Sequence, residues 1–516
     1  MGENGNGKLL AKSISGIMIC TLAYKFLGFI RELVLSYFFG TSGISDAYLI
    51  SQQIPSVIFE FVGAGISTCF IPIYFKVLHS KDQKRAYIFT NKITTLTLCF
   101  STFIIGIVMV FAPYVVKLFA SGFTGETLDY ASTFTRICIV SLYFSTFVFI
   151  YGAFLQANNK FMPSSFSAVI LSICVLISII LGAKVNVWLI SIGSCLAVGV
   201  RIFFIVPASH KIGLRTKLNF QWKDDNVKEF FVLMIPVILG TSVNEINTLI
   251  DRTIASQIAI GGISALTYAN SMLQLATGGI VQPFSTVVYP QITDSVHKGE
   301  KESAISLLSR MINVLLLLLI PIMVGILFYS KPIISLLFSR GAFNDQALEM
   351  TSDAFRFYSI GLCFIGLREM LSRFYYACED TKTPMINSSV GLIINVVLNL
   401  TLSRIIGLRG LALATSFSAI VTSILLIASM KKKLRVKILH IDFTDVIKMV
   451  LASMIMGIVS YQIYIHVFNA SRIGLITSIV IAIIIYIICA AFFKMKSTIE
   501  VKVIVGKILH RKKDST

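Results

Sequence analysis

The sequence predicts an all-α polytopic membrane protein of about fourteen transmembrane helices, built as two six-helix repeats plus a C-terminal helix pair. Composition is the first observation behind that reading. Of 516 residues, 56% are hydrophobic and only 14% are charged, and the mean hydropathy is +0.83. A soluble domain usually carries about 25% charged residues. The apolar residues come in blocks of roughly 20 or more, the length a helix needs to cross a ~30 Å hydrocarbon core. Too little polar surface is left to coat a water-soluble fold.

The second observation is where the basic residues fall. The net charge of +20 sits in short segments between apolar blocks, at 81–85, 211–228, 431–437 and 494–513. That is the pattern of cytoplasmic loops under the positive-inside rule, reinforced by anionic lipid headgroups, and it argues against nucleic acid as the partner. The third is an internal repeat. FLQANNKFMPSSFSAVILSICVLIS from Phe154 is similar to FYYACEDTKTPMINSSVGLIINVVLN from Phe374, and RELVLSYFFGTSGISDAY from Arg31 to DRTIASQIAIGGISALTY from Asp251. Both offsets are about 220 residues, the mark of one duplicated six-helix unit.

In chain order the apolar blocks are 13–40, 46–77, 88–118, 131–158, 162–182, 186–208, 228–258, 263–291, 304–329, 347–378, 384–404, 408–430, 446–468 and 472–493, each ended by a polar break. Even-numbered blocks are followed by the basic loops. The opposite loops are short or acidic, as at 41–45 and 121–130, with Arg404, Arg409 and Arg472 as exceptions. Both termini are therefore expected in the cytoplasm. The expected domains are an N-terminal six-helix bundle at 1–220, a second at 221–437, and an appended helix pair with a basic cytoplasmic tail at 438–516. An even number of spans per copy gives both copies one orientation, and transporters built this way place their site between the halves near the midplane. Residues 1–12 are polar, and the block that follows is too long for the apolar core of a cleavable signal. Pro55, Pro72, Pro236, Pro290 and Pro321 lie inside spans, where kinks give flexible points for alternating access.

The nine cysteines form no CxxC pair and fall almost wholly in apolar blocks, so they read as small hydrophobes. The six histidines show no HExxH spacing, and no nucleophile–base set is visible. No metal, no cofactor and no enzymatic activity is expected.

Charges inside spans carry the functional reading, because each costs roughly 2.5–3.5 kcal/mol to insert at a helix centre. Span 1 holds Lys25, Arg31 and Glu32; span 2 opens with Asp46 and contains Glu60; span 7 holds Glu245, Asp251 and Arg252; span 10 holds Arg356, Arg368, Glu369 and Arg373. Lys25 and Glu32 are seven residues apart, close to two turns, so the span 1 cluster faces roughly one side. Arg31 and Arg252 are repeat equivalents within one residue, and each half is expected to offer a guanidinium to a shared cavity. The planar fork of arginine suits a diphosphate. Lys25 assists in this reading, while Asp46, Glu60, Glu32 and Asp251 gate the cavity or pair with its cations. The bland alternative is that the charges pair with one another, Arg252 with Glu245 or Asp46, and hold helices together. Asn395 and Asn399 share one face of span 11 and Thr415 of span 12 approaches them. These oxygens suit either a sodium ion or, more commonly, interhelical hydrogen bonds. Coupling to Na+ or H+ is left open.

At these residues the sequence resembles the MurJ (MviN) family, the lipid II flippases of the multidrug/oligosaccharidyl-lipid/polysaccharide exporter superfamily. The resemblance rests on GFIRELVLSYFFGTSGISDAYLISQQIP, IDRTIASQIAIGGISALTYANSMLQLATGGIVQPFSTVVYPQIT, SRGAFNDQALEMTSDAFRFYSIGL, FYYACEDTKTP and LNLTLSRIIGLRGLALATS, and spans nearly the whole chain. It implies a cationic cavity that takes the diphosphate-sugar head of an undecaprenyl-linked peptidoglycan precursor while the polyprenyl tail stays in lipid. Lys25, Arg31 and Asp46 stand where the family is basic, basic and acidic, and Arg252 where many members have arginine. The chain departs from the family at Glu60, in a stretch that is commonly basic, at Ala64 in place of an acid, and at Ser271 in place of an arginine. Those departures leave a flippase for another lipid-linked oligosaccharide as the alternative; a drug/cation antiporter is disfavoured by the cationic residues. The implied location is the bacterial cytoplasmic membrane, with lipid-linked sugar, membrane lipids and the cell-wall synthesis machinery as partners.

Overall fold

The computed structural model describes residues 3–80, 82–221, 223–433 and 441–498. Part of the basic loop expected at 431–437 and the tail beyond 498 lie outside the described residues. Among those described, the chain is helical without strands, and its helices fall into fourteen runs, one to each expected span. The first copy comprises α1 (Glu3–Phe39); α2 (Gly43–Gly65), a π turn (Ile66–Phe70) and α3 (Ile71–Ser80); α4 (Gln83–Phe119); α5 (Gly125–Cys138) with α6 (Ser141–Ala157); α7 (Met162–Lys184); and α8 (Leu189–Val200) with α9 (Ile202–His210). The second comprises α10 (Asp225–Ile258); α11 (Gly262–Ala276), a π turn (Thr277–Val281) and α12 (Gln282–His297); α13 (Lys301–Phe338); α14 (Asp345–Ser359) with α15 (Leu362–Ala377); α16 (Lys382–Ile406); and α17 (Leu408–Lys433). The appended pair is α18 (Phe443–His466) and α19 (Arg472–Phe492).

Length and apolarity alone qualify eight helices among the described residues as membrane spans, or nine with the pair α5–α6, which bends by 44°. Several of the other runs carry the intramembrane charges, α1, α2 and α10 among them, and two are divided by π turns. The duplication is visible in these breaks. Span 2 and span 8 each contain a π turn two residues ahead of a proline, Pro72 and Pro283. A proline has no N–H to give to the preceding turn, so the ladder re-registers around it. Likewise α4 and α13 both carry a late proline, Pro113 and Pro332, and in α4 the backbone leaves helical geometry at Phe111.

Neighbouring helices approach through small residues. Gly193 lies against Ser178 between α7 and α8, and Ser418 Oγ donates to the Gly391 carbonyl at 2.7 Å between α17 and α16. Such contacts are the usual means of helix association where lipid gives no hydrophobic drive. The appended pair docks on α13: Val324, Met456 and Ala482 form one buried cluster, Tyr329, Tyr464 and Leu475 another, and Tyr486 donates to the Leu317 carbonyl at 2.9 Å.

Packing gathers the chain into two compact units, Met1–Ser264 with Arg340–Asn344, and Ala265–Ser339 with Asp345–Thr516. Helix α10 belongs to the first, where it packs on α2 and α4. An aromatic core of Phe70, Tyr74, Phe89 and Phe154 sits within this first unit.

Candidate functional site in the first unit

One face of α2 supplies the framework of the site. Tyr48, Gln52, Pro55, Ser56, Phe59, Glu60 and Gly63 recur at three- and four-residue intervals and line a cavity of about 550 Å³. That spacing is what 3.6 residues per turn imposes on a single stripe. Arg31, Glu32 and Leu35 of α1 enter from one side; α6, α7 and α8 close the others with Ser145, Phe149, Leu171, Val175 and Ser194. Arg201, at the junction of α8 and α9, completes the polar lining.

Two guanidiniums and two carboxylates thus share a space with mostly apolar walls. Arg31 donates to Glu32 Oε1 at 3.0 Å and remains about one-third exposed, whereas the Glu32 side chain is 7% exposed. The second Glu32 oxygen, Oε2, is buried and has no hydrogen-bond partner among the described residues. Such an orphaned acceptor belongs beside water or a ligand's donor. Tyr48 and Ser194 share a hydrogen bond of 2.9 Å that ties α2 to α8 across the cavity wall. Arg201 Nε donates to Ser167 Oγ of α7 at 3.3 Å. Among the described residues no carboxylate forms an ion pair with Arg201.

The structure brings three of the expected residues together here: Arg31, Glu32 and Glu60. The others lie outside the lining. Lys25 is exposed on α1. Arg252 donates from α10 to the Leu49 carbonyl of α2 at 3.2 Å, with Asp251 half-buried beside it. Glu245 of α10 lies in the electrostatic neighbourhood of Glu60 and Arg252. Asp46 is wholly buried at the other end of α2, where its carboxylate accepts the Gly261 and Ser264 N–H groups and the Ser264 hydroxyl, each at 2.7 Å. It caps the helix that begins at Gly262, and the oriented N–H groups there suit a negative charge.

Asn395, Asn399 and Thr415 form a separate buried cluster in the second unit. Asn399 Nδ2 donates to Asn395 Oδ1 at 2.7 Å, and Asn395 Nδ2 to Thr415 Oγ1 at 3.4 Å. In this arrangement the three tie α16 to α17, and the trio supplies no carboxylate. Glu369 and Arg373 pair with one another at 3.1 Å on α15.

A family model described as "Lipid II flippase MurJ" matches residues 35–504. The chain belongs to the MurJ lipid II flippase family. Among its curated relatives, a probable lipid II flippase MurJ of Rickettsia prowazekii is 30% identical over 413 residues, 78% of this chain and 81% of that one. The probable lipid II flippase MurJ of Thermotoga maritima is 26% identical over 489 residues, 93% and 96% of the two chains. A solved structure of a lipid II flippase MurJ in an inward closed conformation aligns with a TM-score of 0.81 at 27% identity, over 92% of this chain and 98% of that chain. An inward-facing MATE transporter reaches 0.66 at 13% identity, covering 80% and 94%, which shows a shared fold alone.

As a MurJ-family protein the chain is a transporter of the bacterial inner membrane with many spans, and not an enzyme. Two cavity residues of this MurJ-family chain were not singled out from sequence, Arg201 and Gln52. The signal for Arg201 was available, since a charge in the middle of the apolar block 186–208 carries the same insertion cost as Arg31. Gln52 carries no such cost, and only the geometry of α2 reveals it.

Proposed function

We propose that the chain translocates lipid II across the cytoplasmic membrane by alternating access, with Arg31 as the residue that binds the diphosphate. The observation that carries this reading is a guanidinium lining a cavity inside a membrane-spanning bundle, held by Glu32 at 3.0 Å and still partly exposed. A diphosphate leaving water loses its hydration shell, a cost of several kcal/mol per charge that only charge-assisted hydrogen bonds recover. A fixed guanidinium in a water-filled cavity provides them, while the apolar walls and the surrounding lipid accept the polyprenyl chain.

In this mechanism Arg252, anchored on the carbonyl of the cavity-lining residue Leu49, joins Arg31 as α10 moves, and Lys25 draws the head toward the cavity. Glu60, Glu32 and Asp251 set the positions of these cations, and Asp46 holds the loop end of α2 closed against Gly261 and Ser264. A net charge carried through the membrane couples the cycle to the membrane potential, worth about 2.3 kcal/mol per charge per 100 mV. The mutual hydrogen bonds of Asn395, Asn399 and Thr415 favour an interhelical tie over a sodium site there. The basic loops at 81–85 and 211–228 support an orientation with both termini in the cytoplasm. The enzymes that make lipid II and consume it are the proposed partners.

The test is complementation of a strain depleted of its own flippase. Arg31→Ala and Arg252→Ala should each abolish growth at normal protein level, with lipid II accumulating. Growth of both variants at the wild-type rate removes the roles assigned to them, and accumulation of a different lipid-linked glycan replaces the substrate.

A further inference from the structure

We infer that Arg201 is a second diphosphate-binding residue, contributed by the sixth span and facing Arg31 across the cavity of the first unit. The inference rests on the reading of that cavity as the lipid II site. Three observations carry it. Arg201 and Arg31 line the same cavity. Their states differ: Arg31 already donates to Glu32 at 3.0 Å, whereas Arg201 meets only the neutral Ser167 hydroxyl at 3.3 Å and, among the described residues, no ion-pairing carboxylate. A diphosphate presented to Arg31 alone meets a cation already shared with a carboxylate. Arg201 brings the uncompensated charge, and a fork from each side allows one guanidinium per phosphate.

The third observation separates this role from a structural one. The chain contains the same helical unit twice, so the positions corresponding to Arg201 in the second copy, at an offset of 219–221, are Ile420, Val421 and Thr422. Helices α16 and α17 pack without any charge there. The fold itself therefore does not need an arginine at this place. Nor does the residue lie near an end of the sixth span: it stands at the break between α8 and α9, and at least two turns separate it from both Leu189 and His210. A half-buried cation within a span that neither folding nor snorkelling explains is placed for an anionic ligand.

The experiment uses the full-length protein in lipid nanodiscs, with purified lipid II and undecaprenyl monophosphate as probes. The wild type should prefer the diphosphate lipid. Arg201→Gln should weaken lipid II binding about tenfold, as loss of a charge-assisted hydrogen bond predicts, while changing monophosphate binding much less. Arg201→Lys should retain an intermediate preference, which keeps the test open should Arg201→Gln fail to accumulate. Ser167→Ala, which removes the tie between α7 and Arg201 but keeps the charge, should bind both lipids as wild type does. An undiminished diphosphate preference in Arg201→Gln overturns the inference, as does a Ser167→Ala variant as defective as Arg201→Gln. Arg31→Ala is the control on the underlying reading: if it loses lipid II binding while Arg201→Gln does not, only the role of Arg201 falls. If neither loses it, the cavity is not the lipid II site.

Discussion

A guanidinium inside a membrane bundle is costly, and three of those here have a specific partner. Arg31 has Glu32, Arg252 has the Leu49 carbonyl, and Arg201 has Ser167. Outside the membrane the same economy of partners governs Asp224. Its side chain caps α10 by accepting the Asn226 N–H at 3.0 Å and pairs with Lys92 of α4 at 2.9 Å. Burial pushes the Asp224 carboxyl up, but the Lys92 ammonium and the Asn226 N–H outweigh it and hold it below the usual carboxylate range. A carboxyl depressed in the folded state adds stability above its unfolded pKa of about 3.9, and that stability is lost as pH falls through the lower folded value. Asp224→Asn, which keeps a capping oxygen but removes the charge paired with Lys92, should therefore lower the thermal midpoint at pH 7, by roughly the 1.5–3 kcal/mol of a hydrogen bond to a charged group. The gap to wild type should close in scans below pH 4. A gap that stays constant with pH would assign the effect to packing alone. At this scale the sequence revealed Arg31, Glu32 and Glu60 as residues too expensive to be incidental. It did not reveal which of the costly residues meet, because a side chain's neighbours depend on helix rotation and tilt. Arg201 carries the same insertion cost as Arg31 but no charged counterpart in the repeat.

The elements were legible to different depths. Apolar blocks of about 20 residues and alternating basic loops mark nearly every helix, and the structure supplies a helical run for each. The π turns and the bend between α5 and α6 were not readable, since they leave the apolar pattern unchanged. The loop end of the first unit depends on glycines at close backbone approaches. At Gly341, with φ +62°, a β-carbon would overlap the Tyr37 carbonyl oxygen, and the neighbouring Ala342 N–H donates to that same oxygen at 2.8 Å. At Gly261, with φ +83°, it would overlap the Thr41 carbonyl oxygen beside the Asp46 cap. Only glycine meets both demands, left-handed backbone and contact with a carbonyl. Gly341→Ala and Gly261→Ala should each destabilise the protein by roughly 1–3 kcal/mol, read as a lower thermal midpoint in detergent. A control Gly106→Ala, in a helix position with open space around it, should not lose stability. Midpoints of the two loop variants equal to that of the control would show that the close approach is not rigid.

At the scale of the whole molecule, duplication explains the architecture, and the proposed site lies where the two copies differ. Both copies keep the π turn ahead of a proline in their second span and the divided fourth span, so the scaffold is shared. The cavity lined by Arg31 and Arg201 belongs to the first unit, and the sequence pattern that equates Arg31 with Arg252 does not show that α10 packs with that same unit. Family membership makes the chain a flippase; the proposed cargo site is the lining of one cavity. The measurement closest to that claim is the distribution of lipid II between the two membrane faces in cells that depend on this chain. Wild-type protein should maintain lipid II at the outer face, and Arg31→Ala, at equal protein level, should trap it at the inner face. Outer-face lipid II at wild-type amounts in the Arg31→Ala cells would contradict the account.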